Sequence, residues 1–151
     1  MSSGRTQSGF TYLCALLLVA TTGAALGAAA EAWSHARQRE KEAELIWVGN
    51  QFRQAIGLYY QRSPGTIKRY PATLEELLED HRFVTTQRYL RRVYADPMTG
   101  KMEWGLVSAP TGGIMGVYSL SKQASLRLGT TYDEWRFMYE PVAPLNVKAL
   151  R

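Results

Sequence analysis

The chain has 151 residues, room for one modest domain with an attached segment but not for two independent cores. Its net charge of +5 is dispersed, with Arg and Lys usually beside Glu or Asp, so composition alone does not mark a binder of nucleic acid or anionic surfaces. A single cysteine, Cys14, excludes an internal disulfide and a thiolate metal cluster, and His35 and His81 both sit among charged residues as on solvated faces.

Residues 10–30 carry no charge. At about 1.5 Å rise per residue they are long enough to cross a hydrocarbon core of roughly 30 Å. Arg5 and the free terminus precede them without an acid, which favours a cytoplasmic amino end, while Arg37, Arg39 and Lys41 follow on the far side and weigh against it. The small-residue stretch GAALGAAAEA supports a second reading, a secretory signal cut at an A-x-A site near Ala28 or Ala30.

The chain then continues as EAWSHARQREKEAELIWVGNQFRQAIGLYYQR, rich in strong helix formers and free of proline until Pro64. One helix is expected from Phe10 to about Arg62, approaching 80 Å at about 1.5 Å per residue. Leu45, Val48, Phe52, Ala55 or Ile56, and Tyr59 recur at spacings of three and four, the stripe of a helix laid on a core. A cleaved signal needs no such continuation, whereas a membrane helix that carries a domain does.

A short basic leader ending in Gly9, then Phe10-Thr11 and an apolar run merging into a long helix, resembles the class III signal of type IV pilins and of the pseudopilins of type II secretion. The resemblance implies a prepilin peptidase that cuts between Gly9 and Phe10 and methylates the new terminal amine. It also implies assembly through the apolar half of the helix, with Phe10, Cys14, Gly23 and Gly27 on the packing surface; small residues there allow close approach of helices.

RSPGTIKRYP, residues 62–71, ends the helix in a loop. Thr73 then opens TLEELLED, where Thr73 and Glu76 have the spacing of a capping box and Leu74, Leu77 and Leu78 give a short helix one apolar face. In QRYLRRVYADPMTG, Arg88, Arg91 and Arg92 interleave with Tyr89 and Tyr94 in a pattern that could hold a phosphate backbone. Five residues supply too little charge for that, so Tyr89, Leu90, Val93 and Tyr94 are read as core, the arginines as its wet side, and nucleic acid is not an expected partner.

Asp96-Pro97-Met98-Thr99-Gly100 is a turn. Three strand candidates follow: KMEWGLV, with Met102, Trp104 and Leu106 on one face; GIMGVYSL, after the Thr111-Gly112-Gly113 turn; and EWRFMYE, with Trp135, Phe137 and Tyr139 alternating with Arg136, Met138 and Glu140. The polar stretch between the last two strands is left as a helical turn or loop, and the tail as irregular.

The expected fold class is α+β: a long N-terminal helix, membrane-spanning in its first half, packed on a small antiparallel sheet with one short extra helix. YPATLEELLED followed by RYLRRVYADPMTGKMEWGLV is similar to the major-pseudopilin type, so the expected architecture is pilin-like. The divisions are a leader over 1–9, a membrane and assembly segment over 10–30, the amphipathic half of the helix over 31–62, a periplasmic head over 63–140 and a tail over 141–151.

Two departures from that family stand out. The acidic, glycine-rich calcium loop before its last strand is matched here by SKQASLRLGTTYDEW, which offers only Asp133 and Glu134 where calcium takes six to eight oxygens, so no metal or other cofactor is expected. The family's glutamate at the fifth position after the cut, which can neutralise a neighbour's buried terminal amine, is here Cys14. No nucleophile with a base, metal-ligand spacing or phosphate loop is present, so the chain reads as a structural subunit and not an enzyme. The resemblance implies an inner-membrane location with a cytoplasmic N-terminus and a periplasmic head. Its partners would be prepilin peptidase, an assembly platform and other pseudopilins in a homo- or hetero-oligomeric fibre that drives protein export. A soluble periplasmic domain, or a pilin-like DNA-uptake component using Arg88, Arg91 and Arg92, are the alternative readings.

Overall fold

The computed structural model describes residues 7–127 and 129–141, and for residues 7–9, 25–30 and 32 the backbone alone. The leader residues 1–6 and the tail from 142 onward lie outside the described residues. The chain divides into two units, residues 1–40 and 41–151.

One α-helix, α1, spans Gln7–Gln61, within a residue of its expected C-terminal end. It is uninterrupted because no proline occurs before Pro64, and it stops where Pro64 and the positive-φ Gly65 open the loop. In the second unit its stripe of Leu45, Val48, Phe52, Ala55, Ile56 and Tyr59 is fully buried, as the periodicity predicts. These residues join Leu77, Leu90, Trp104, Ile114, Val117 and Tyr132 in one core.

The sheet is antiparallel in the order β1-β2-β3, with β1 at Gly105–Ser108, β2 at Ile114–Tyr118 and β3 at Arg136–Met138. Thus an α+β architecture with a small antiparallel sheet is present. Leu106 faces Val117, and Val117 faces Phe137, so these three share the face that meets α1. The sheet comes close to the helix at two glycines: an added Cβ would lie 2.3 Å from the Phe137 ring at Gly49 and 2.8 Å from the Tyr139 ring at Gly57. Helix-interior glycine costs about 0.5–1 kcal/mol relative to alanine, and here it lets the aromatic rings of β3 and its extension rest on helix backbone.

Two expectations are corrected. The short helix over TLEELLED is only a 3-10 turn, Glu75–Leu77, whose N-cap is Leu74 and not Thr73. The capping-box carboxylate instead reaches one residue further back: Glu76 Oε2 accepts from the Ala72 N–H at 3.1 Å and from the Tyr59 hydroxyl at 2.5 Å. Second, β1 begins at Gly105, so Met102 precedes the strand; Met102 is exposed, as is Leu106 on the edge strand, while Trp104 is buried and donates its indole N–H to the Tyr94 carbonyl at 2.8 Å. Among the described residues no helix is long and apolar enough to cross a membrane.

The stretch between β2 and β3 is neither a long helix nor a free loop. It is closed by an isolated Ala124–Thr131 bridge and a 3-10 turn at Tyr132–Glu134, and it is fastened to α1 by Glu42. Glu42 Oε1 accepts from the Leu126 N–H at 2.6 Å and the Tyr132 hydroxyl at 2.8 Å.

Candidate functional site

The sequence places its candidate residues on the first unit, and all of them lie in α1. Gly9, Phe10, Cys14, Gly23 and Gly27 are helical, so the Gly9-Phe10 junction is part of the helix. Phe10 is 70 % exposed, Leu13 65 %, Leu16 50 % and Leu18 69 %; Cys14 is exposed with a free thiol, and space around Gly23 is open. Leu16, Leu17, Leu18 and Val19 are successive residues turned about 100° apart, so the apolar surface runs around the whole circumference instead of along one stripe. A helix apolar on all sides is stable where something apolar surrounds it.

The polar groups of this stretch are suited to such surroundings. The Thr21 hydroxyl bonds to the Leu17 and Leu18 carbonyls at 2.9 and 3.0 Å, and the Thr22 hydroxyl donates to the Leu18 carbonyl at 2.7 Å. These bonds to the preceding turn satisfy the hydroxyls within the helix, which removes most of the cost of taking them out of water. Beyond the apolar run Trp33 is exposed and is followed by Arg37 and Arg39, the amphipathic side chains that suit a boundary between apolar and aqueous phases.

In the second unit the polar clusters close on themselves. The Arg82 guanidinium donates from Nε and Nη2 to the two Asp80 carboxylate oxygens at 2.8 and 2.7 Å, from Nη1 to Ser63 Oγ at 2.9 Å, and from Nη2 to the Tyr59 carbonyl at 3.1 Å. It also lies 3.5 Å from the centre of the Tyr59 ring, and the Tyr89 hydroxyl donates to Asp80 at 3.1 Å. Burial pushes the Asp80 carboxyl upward, but the Arg82 hydrogen bonds outweigh it and hold the group below its ordinary value. Burial and the bond to Glu76 push the Tyr59 phenol well above its usual range. Buried Asp96 is likewise saturated, by the Met98 N–H, the Thr99 hydroxyl and the Ser119 hydroxyl. Such networks fix loops, their acceptors being taken up by the chain's own donors.

The basic stretch divides as its apolar members require. Leu90 is buried, Tyr89, Val93 and Tyr94 pack against the core, and the arginines lie outside, Arg88 at 3.0 Å from Glu79 and Arg92 over the Tyr94 ring. Among the described residues no group of three His, Cys, Asp or Glu side chains could hold a metal ion. Glu42, Asp80 and Asp96 are the buried acids that sequence reading passes over. For Glu42 the signal was present: it stands three residues before Leu45, on the same helical stripe. No protein-family model, curated protein or solved structure matches the chain.

Proposed function

We propose that the protein is a pseudopilin-like structural subunit of a type II secretion machine or a related pilus-like one. Residues 10–30 would span the inner membrane before assembly and pack against other subunits after it. The observation that carries this reading is the continuous helix whose first part is apolar and exposed around its circumference while its last four turns bury one face in the core of a small α+β head. That division suits a subunit stored in lipid and assembled through its helix. The internally bonded Thr21 and Thr22 support it.

Cys14 favours a minor or tip subunit. A neutral thiol at the fifth position after the proposed cut cannot pair with a neighbour's terminal amine, and an unpaired buried charge costs several kcal/mol. A position that requires no such pairing, in a minor or tip subunit, accommodates it.

The mass of the mature protein tests the proposal. Loss of residues 1–9 with gain of one methyl group is expected, and Gly9→Trp is expected to block that maturation. Loss of about thirty residues, the outcome of cleavage near Ala28 or Ala30, would instead make the protein a released periplasmic domain.

A further inference from the structure

We propose that the cleft between the loop after α1 and the Arg82 side chain binds a phosphate group; the proposal does not rest on the assembly reading above. The cleft, of about 550 Å³, is walled by Ser63, Pro64, Thr66 and Ile67 of the loop and by Arg69 and Arg82, so that among the described residues two cations and no carboxylate line it. The sequence prepares this imbalance: between Glu44 and Glu75 it holds no acid, while Arg53, Arg62, Lys68 and Arg69 fall in that interval. The end of α1 does not use up these cations. Its carbonyls are met by Lys68 Nζ, which donates to Gln61 and Ser63 at 2.8 and 3.3 Å, and by the Ser63 hydroxyl and Arg82 at Tyr59. Arg69 is exposed, and its guanidinium takes no ion pair or hydrogen bond among the described residues.

Donors come from three groups. Arg82 commits four of its five N–H bonds, to both Asp80 oxygens, Ser63 and the Tyr59 carbonyl; the fifth, on the Nη1 that meets Ser63, is unused among the described residues. Arg69 brings a whole guanidinium fork, the geometry that meets phosphate oxygens in pairs. In the loop Gly65 is left-handed at φ 79°, and the Gly65, Thr66 and Ile67 N–H groups take no hydrogen bond among the described residues. Successive amides around such a turn form a concavity for an oxyanion. Three carboxylates share the adjoining cleft with Arg69 and Arg82, and each already has a donor: Asp80 from Arg82, Glu76 from the Tyr59 hydroxyl and Glu79 from Arg88. Against these three acids the neighbourhood sets five cations, Arg62, Lys68, Arg69, Arg82 and Arg88. A phosphate group, with a charge of about −1.5 to −2 and three terminal oxygens, matches two lining cations and several donors better than a carboxylate does.

The test uses the full chain in dodecyl maltoside micelles at constant ionic strength, with backbone amides and arginine Nε–H resonances followed by NMR. Inorganic phosphate is expected to shift residues 63–69 and the Arg82 Nε–H saturably, half-maximally at about 1 mM, and acetate to bind about tenfold more weakly or not at all. Arg69→Gln should weaken phosphate binding about tenfold with the urea midpoint unchanged, because that guanidinium holds no other part of the chain among the described residues; Arg69→Lys should recover part of the loss. Phosphatidic acid doped into the micelles separates the sources. The same shifts from it alone assign the phosphate to a lipid headgroup, from inorganic phosphate alone to a soluble phosphate, and from both to the phosphate group itself. Equal response to phosphate and acetate, shifts spread without saturation over every exposed arginine, undiminished binding by Arg69→Gln, or no response to either phosphate source would each overturn the proposal.

Discussion

Arg82 ties together three parts of the chain that are far apart in sequence: Asp80 beside it, Ser63 in the loop after α1, and the last turn of α1 through Tyr59. Removing the guanidinium strands a carboxylate that is 2 % exposed, so Arg82→Ala is expected to cost about 3–5 kcal/mol in urea unfolding. Arg82→Lys should cost nearly as much, because an ammonium cannot bridge both oxygens and Ser63 at once. The same pair sets a pH dependence. The folded Asp80 binds its proton more weakly than the unfolded one, whose ordinary value is 3.8. Its contribution is therefore complete above that value and is lost as pH falls below it, and the acid limb of the stability curve should flatten in Asp80→Asn. Glu42 makes a separate prediction. Among the described residues its Oε2 is buried without a hydrogen-bond partner, while Oε1 accepts from Leu126 and Tyr132. Glu42→Gln keeps an acceptor and should be tolerated within about 1 kcal/mol, whereas Glu42→Ala removes the acceptor shared by the Leu126 N–H and the buried Tyr132 hydroxyl and should cost about 2–4 kcal/mol in urea unfolding.

Helix α1 and strand β3 meet through glycine, and that contact separates what the sequence discloses from what it conceals. At Gly49 the atoms nearest an added Cβ are Cγ and both Cδ of Phe137, the base of the ring, which cannot swing aside. Gly49→Ala gains up to about 1 kcal/mol of helix propensity but overpacks the interface by about 1–3 kcal/mol, so net destabilisation is expected. Pairing it with Phe137→Leu should recover part of the loss, and a double-mutant cycle of unfolding free energies measures the coupling. The buried stripe of α1 and the three strands were legible, because periodicity and turn residues report on burial locally. The end of the TLEELLED segment was not. The Leu77 carbonyl that would extend a helix accepts instead from the Tyr89 and Leu90 N–H groups at 2.9 and 3.0 Å, and the Asp80 N–H bonds to Gln87. Those partners are distant in sequence, so leucine spacing alone fits either outcome. Leu106 was misplaced for a related reason: strand alternation gives its face, but not that β1 is the sheet edge. On the first unit, what the sequence conveyed was absence of charge; the hydroxyl bonds of Thr21 and Thr22 required the helix to be built.

At the scale of the whole chain, the two units hold their helix by different means. From Leu45 to Tyr59, α1 is fixed by a core shared with the sheet, so its amides should open only when the second unit unfolds. From Phe10 to Ala24 its described side chains are exposed and contribute no buried residue to that core. Helix formation without tertiary packing is marginal in water, even for favourable sequences. The helicity of residues 10–24 should therefore depend on an external apolar phase, whether lipid, detergent or the helices of neighbouring subunits. Hydrogen exchange of the full chain read by mass spectrometry distinguishes these regimes. In dodecyl maltoside micelles, peptides from 10–24 and from 45–59 should both be protected. After transfer to detergent-free buffer at high dilution, protection over 45–59 should persist while that over 10–24 falls by about two orders of magnitude or is retained only in self-associated material, because so large an apolar surface is not left in water. Protection over 10–24 in a detergent-free monomer would mean that the rest of the chain covers that surface, and the assembly reading would then lose the feature on which it stands.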